Sequence, residues 1–414
     1  MYVDIHGKSD PKVAAVFKRQ LRAQCKGVGE PLTLELPRVA MAGREIAVVF
    51  ARANSRWTVA EQKTFASMLE RGIAVLPVVP DPDAAKGLPS CLSHINAFVR
   101  SFFGDAWAEC LADEVLSIAW LHRRTPKVFI SYKRTDSGPI AAQLYDRFNH
   151  LGYETFFDEA SVPRGADFQR ELMWWLNDAD LLIVLASPNF PLSKWCMKEV
   201  SFCQDRSIGV VAVDWPDAVY GRERRLPFPG VDDDTKKPRI LNRATPDQVL
   251  VLRGRDFAAS EKPRKGRDPD LPSRELTAEA LSRVLAMCAR QRTVAIGQRL
   301  RELVPLALRA LPGAAPMAGV PTGSDLVFHD TSGVESFVRV VPFRPRPETI
   351  RQAAIDGVAY GAVAYGAVAG CFYAENDPLD PRAQALRWLA NGKRPPNPTQ
   401  SDGWVWAYYR GIMS

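Results

Sequence analysis

The middle of this chain is predicted to fold as an α/β domain around a doubly wound parallel sheet. Three features predict it: apolar runs of strand length between residues 127 and 215, helical apolar spacing between those runs, and short connections. Lys127 to Lys133 encloses VFISY, nearly continuous in apolar residues, as in a strand buried on both faces. Ile140, Leu144, Phe148 and Leu151 then recur at helical spacing and stop at Gly152. Tyr153 to Phe157 reads as a second strand and Phe168 to Leu176 as a helix. Asp180 followed by LLIVLA reads as a third, fully buried strand. Ser193 to Phe202 reads as a helix, and Ile208 followed by GVVAVDW as a fourth strand. Ligands of such sheets bind outside the carboxyl ends of the strands, so the segments that follow each strand are the place to look for chemistry.

Length and composition bound the rest. At about 150 residues per domain, 414 residues hold two or three domains. With 46% hydrophobic and 24% charged residues, the chain is an ordinary globular protein and not disordered, collagen-like or multi-span. The net charge of +7 is small for this length. The basic runs Lys236-Lys237 and Lys262 to Arg267 lie in Pro/Gly/Asp-rich sequence, so no specific nucleic acid is expected as a partner. The cysteine number, 7, is odd and no CxxC pair occurs, which argues against a disulfide framework and a metal site. The opening MYVDIHGKSD has no apolar signal core, so a reducing cytoplasm is the expected location. Gly357 to Ala374 is uncharged, but its Ala, Gly and Tyr transfer poorly into lipid. A close-packed helix is expected there, and no membrane span.

Punctuation divides the chain into residues 1–122, 125–257, a charged Pro/Gly-rich linker at 258–272, and 273–414. The last segment opens with a helical pattern from Leu276 to Leu311. Pro305 is expected to kink or break that helix, and Pro312-Gly313 ends it. The segment is expected to be mainly helical or α+β, and to serve as a sensor or assembly domain.

Within 125–257 one pair stands out. Ser193 is a candidate N-cap, which places Trp195 and Glu199 four residues apart on one helical face, beyond the strand that ends at Ala186. A flat aromatic and a carboxylate suit a planar base and a ribose. Core packing for Trp195, a solvated face for Glu199 and ordinary surface charge for Lys133 and Arg134 fit the same residues.

Five blocks occur here in order: VFISYKRTD (Val128 to Asp136), TFFDE (Thr155 to Glu159), SVPRGADF (Ser161 to Phe168), DADLLIVLASPNF (Asp178 to Phe190) and WCMKEV (Trp195 to Val200). Together they resemble a TIR domain, in particular the NAD-cleaving branch, over about Pro126 to Trp215. The resemblance implies a flavodoxin-like sheet with NAD+ as substrate rather than cofactor. It implies Glu199 as the catalytic residue and Tyr132, Lys133, Arg134 and Trp195 as substrate contacts. It implies a BB loop of Val162, Pro163, Arg164, Gly165, Ala166 and Asp167 that controls access and protomer contact.

One carboxylate is enough for such a cleavage, because nicotinamide already carries positive charge and leaves neutral without a general acid. The developing oxocarbenium ion needs a nearby anion. The resemblance implies an NAD+ nucleosidase of bacterial anti-phage defence that works as a homo-oligomer and responds to an activating ligand or protein partner. An enzyme making a cyclic ADP-ribose signal and a non-catalytic self-association adaptor are the alternatives.

The first segment echoes the second. EIAVVFARANSRWTVAEQKTF (Glu45 to Phe65) matches the order strand, Asn-containing turn and Trp-x-x-x-Glu, with Trp57 and Glu61 in the places of Trp195 and Glu199. A degenerate TIR-like copy is expected. It lacks the VFISYKR opening and the Arg-Gly-Ala-Asp loop, so Glu61 is assigned no catalytic role. The third segment resembles no family; its tandem YGAVA pentad at Tyr360 to Ala369 fits neither helix nor strand period.

Overall fold

A computed structural model describes residues 1–8, 10–35, 45–157, 168–187, 190, 193–216, 229–231, 238–240, 248–258, 275–310, 313, 315–316, 324–329, 335–343, 346, 348–349, 351–353, 369–374 and 404–409. It divides into two compact units. One comprises Met1–Ser101, Leu111–Arg124 and Ile296–Ser414; the other comprises Phe102–Cys110 and Thr125–Ala295.

The second unit holds the doubly wound sheet. Its strands are β5 (Lys127–Ser131), β6 (Glu154–Phe156), β7 (Leu181–Ala186), β8 (Gly209–Asp214) and β11 (Val249–Val251). They pair in the order β11-β8-β7-β5-β6, and every pairing is parallel. Counted from β5 along the chain this is the order 2-1-3-4-5 of flavodoxin-like folds, in which the connection reverses direction beside the first strand. The helices are α4 (Arg134–His150), α5 (Phe168–Asn177) and α6 (Lys194–Asp205). Every residue of β7 and β8 is buried, as expected of central strands covered on both faces. A separate antiparallel ribbon pairs β9 (Pro229–Val231) with β10 (Pro238–Ile240).

The amino edge of this sheet is held by charge. Lys127 at the start of β5 pairs with Asp178 at 2.6 Å and Glu154 at 3.1 Å. Asp180 accepts from the Lys127 backbone N–H at 3.0 Å and faces buried Arg292 at 3.5 Å. Asp180 therefore serves a strand end, far from the carboxyl edge.

The first segment repeats the plan. Strands β1 (Tyr2–Gly7), β2 (Glu45–Phe50), β3 (Ala74–Val79) and β4 (Phe98–Val99) form a parallel sheet in that order. The helices α1 (Pro11–Val28), α2 (Val59–Glu70) and α3 (Trp107–Ile118) follow β1, β2 and β4. On the free side of β1, Thr33 forms a one-residue parallel bridge to Tyr2, with backbone bonds of 2.8 Å and 3.0 Å to Val3 and Met1. That bridge stands where the second strand of the 2-1-3-4-5 order belongs. Among the described residues, that place is held by the single bridging residue Thr33.

Helix α7 (Ala278–Ala310) is one 33-residue element, so of the expected kink or break before Pro305 the break does not occur. Pro305 lies in the last turns, where losing one backbone hydrogen bond does not end the helix. The C-terminal sheet has the order β12-β13-β14-β15-β16, formed by Ala315–Pro316, Asp325–His329, Glu335–Val340, Ala369–Ala374 and Trp404–Tyr409. Its cross-strand partners Asp325 and Arg339 form a buried bidentate ion pair at 2.8 and 3.0 Å. The third segment is thus α+β. The helix expected over Gly357 to Ala374 is corrected at its end: Ala369–Ala374 is a strand, paired on both sides by β14 and β16. Pairing and the aromatic residues of GCFYA override the small-residue pattern. The rest of that stretch lies outside the described residues. No described helix is long and apolar enough to cross a membrane.

Candidate active site at the carboxyl edge of the sheet

The carboxyl ends of β5 and β7 meet where the strand order reverses, the usual ligand position of such folds. Ser131 ends β5, and on the two-residue alternation of the strand it shares a face with Lys127 and Phe129. Phe129 belongs to the apolar cluster that also holds Cys196 and Val200 of α6, so Ser131 faces that helix.

Glu199 is brought to the same place by helix geometry. Ser193 caps α6, its hydroxyl accepting from the Cys196 N–H at 3.3 Å. Glu199 then falls one and a half turns into the helix and is buried at 7% exposure. The Ser131 hydroxyl donates to Glu199 Oε2 at 2.5 Å. That bond fixes the rotamer of the carboxyl group. Beside it the Cys196 thiol reaches the Tyr132 carbonyl at 3.5 Å. Burial, the largest influence, holds Cys196 above the ordinary thiol range, opposite to what a thiolate nucleophile needs.

The residues after β5 separate by direction. The Tyr132 ring is buried and stacks on Phe157 at 5.3 Å, which in turn contacts Tyr145 of α4. Lys133 is half-buried at the N-cap of α4, and Arg134 is exposed at its first turn. The opening of α4 is tied to the end of β7 by Ser187, whose hydroxyl donates to Asp136 at 2.8 Å. Trp195 lies in the first turn of α6, but its side chain is outside the described residues, as is the whole of Val162 to Asp167. The structure therefore joins Glu199 to Ser131, a residue the motif reading passed over, and turns the Tyr132 ring into the aromatic packing of α4. The signal for Ser131 was present: a lone hydroxyl at the inward register of an otherwise apolar strand end. No group of three metal-ligating side chains occurs among the described residues.

The same spacing builds a different site in the copy. Thr58 caps α2, and Glu61 completes a capping box with it, accepting from the Thr58 N–H at 2.8 Å. Its other oxygen accepts from Lys8 at 2.5 Å. Those hydrogen bonds, the one from Lys8 foremost, hold the carboxyl down at about 2. Trp57 precedes the cap, donates to the Gly87 carbonyl at 2.7 Å and carries Lys8 over its ring. Glu61 is the third residue of its helix, whereas Glu199 is the sixth of its own. The sixth position of α2 is Thr64, an exposed residue bonded to its own helix. Equal spacing from Trp to Glu has thus been shifted by one turn relative to the helix start, and Thr64 stands at the position that Glu199 holds in α6.

The family model for the TIR domain matches residues 128–229. Over 74 residues the chain is 31% identical to the TMV resistance protein N of Nicotiana glutinosa, spanning 18% of this chain and 6% of that protein. Over 118 residues it is 22% identical to a probable 2′ cyclic ADP-D-ribose synthase of Brachypodium distachyon, spanning 28% of this chain and 52% of that protein. Much of each relative thus has no counterpart in the match.

Proposed function

We propose, from the TIR domain at residues 128–229, that this chain cleaves the nicotinamide–ribose bond of NAD+, taking NAD+ as substrate and needing no further cofactor or metal. The observation that carries this reading is the buried Glu199, held by the Ser131 hydroxyl at the carboxyl edge of the sheet. As the N-glycosidic bond breaks, its electron pair moves to the nicotinamide nitrogen and cancels the positive charge there. The sugar becomes an oxocarbenium ion. A preoriented carboxylate in an enclosed site stabilises that charge without reorganising. Lys133 and Arg134 suit the pyrophosphate. The resemblance adds Trp195 as a substrate contact and Val162 to Asp167 as the loop that controls access and protomer contact.

The similarity to a probable cyclic ADP-D-ribose synthase favours a second product, a cyclic isomer formed when an internal group rather than water captures the anomeric carbon. An enclosed carboxylate fixed by a hydroxyl supports an enzyme over a purely adaptor role. The setting we infer is cytoplasmic and bacterial: a homo-oligomer that depletes NAD+ in anti-phage defence once a ligand or protein partner assembles it. Incubating the purified chain with NAD+ at high protein concentration, with chromatography of the products, tests the reading. Nicotinamide together with ADP-ribose supports hydrolysis, and nicotinamide with a cyclic isomer supports the second product. No loss of NAD+ at any concentration or with added cell lysate contradicts both.

A further inference from the structure

Asp214 ends β8 and has no part in the mechanism above. Its register partner is Ala186, the last residue of β7. Ala186 belongs with Val210 and Ala212 to the apolar cluster beneath α6. By strand alternation Asp214 stands on that same face, the one on which Ser131 meets Glu199. Counting about 4.8 Å per strand and about 3.3 Å per residue, Asp214 and Ser131 are about 12 Å apart at Cα, with Asp214 two residues further toward the ligand edge. Asp214 is 1% exposed, and its Oδ1 has no hydrogen-bond partner among the described residues. Burial pushes this carboxyl up to about 6. A buried acceptor without a donor costs the fold free energy and returns none.

The proposed cleavage leaves one task unassigned. Nicotinamide departs with the bonding pair and takes no proton. When water then adds to the anomeric carbon, a water lone pair forms the C–O bond and an O–H proton must leave. Glu199 is occupied as the anion facing the sugar and as acceptor for Ser131. Resting on the NAD+-cleaving reading, we propose that Asp214 is the general base that takes this proton and passes it to solvent. The balance is NAD+ and water giving ADP-ribose, nicotinamide and one proton. A base that titrates near the operating pH is the effective kind.

A pyridine such as 3-acetylpyridine separates this role from any other. It attacks the same carbon through its ring nitrogen and loses no proton, so its exchange into NAD+ needs the oxocarbenium-stabilising carboxylate but no base. The full chain carrying Asp214→Asn is expected to hydrolyse NAD+ at least about 100-fold more slowly, the lower range for a lost general base, while exchanging 3-acetylpyridine at close to the native rate. Glu199→Gln is expected to lose both reactions. Native hydrolysis by Asp214→Asn overturns the proposal. So does an equal loss of hydrolysis and exchange, which marks a structural role. If the unaltered chain does neither reaction under assembling conditions, the NAD+ reading itself falls, and the base with it.

Discussion

Two carboxyl groups at the edge of one sheet have different surroundings. Glu199 accepts a hydrogen bond from the Ser131 hydroxyl, while Asp214 Oδ1 has no partner among the described residues and burial pushes that carboxyl up to about 6 from an ordinary value of 3.8. The second case has a consequence for stability. The folded chain binds the Asp214 proton more tightly than the unfolded chain does. The stabilisation from that proton is therefore complete below about pH 4, declines as pH rises to about 6, and is gone above it. At about 1.4 kcal/mol per pH unit the difference amounts to about 3 kcal/mol. Asp214→Asn keeps the shape and removes the charge, so thermal melting of the TIR unit is expected several degrees above the native chain at pH 8 and equal to it at pH 4. Equal melting at both values would show that the native fold supplies Asp214 with a donor. Asp214 was hard to find in the sequence because an aspartate ending an apolar strand reads as a turn former. Only the register with Ala186 and the missing partner set it apart.

At the scale of elements, the helix start decides what a motif means. Trp-x-x-x-Glu occurs twice, and only the distance from the N-cap tells the two apart. Ser193 places Glu199 inward over β5, while Thr58 places Glu61 in a capping box bridged to Lys8. Glu61→Gln is accordingly expected to leave NAD+ turnover unchanged in assembled protein while lowering the melting temperature of the first unit. The cap and ion pair contribute most above the ordinary carboxylate range and are lost as pH falls toward about 2. A turnover loss matching that of Glu199→Gln would show the copy to be catalytic. The strands of the TIR unit were legible because each is a short apolar run between turn residues, and the echo in the first segment was legible for the same reason. The Thr33 bridge was not, since one residue carries no periodicity. Nor was Ala369–Ala374, whose strand character comes from partners distant in sequence. Pro305 suggests a kink or break by a rule that holds for helix interiors; the helix continues through it in its last turns.

At the scale of the molecule, the first and third segments contribute to one unit and the TIR sheet to the other, with α7 passing through both. Within the first unit α7 packs against α1 so closely that a Cβ on Gly297 would lie 2.1 Å from the Gly27 carbonyl. Arg301 of the same helix donates to that carbonyl at 3.4 Å, and Arg299 donates to the Pro342 carbonyl at 2.9 Å. The measurement that tests the central claim is nicotinamide release from NAD+ by the full-length chain and by Glu199→Gln, followed over a series of protein concentrations, with circular dichroism of both. Release per chain is expected to rise with concentration in the native protein. Release at least about 100-fold lower at every concentration is expected in a fully folded Glu199→Gln, the loss that follows when a preorganised charge is removed from a transition state. Equal release by the two folded proteins would contradict that claim.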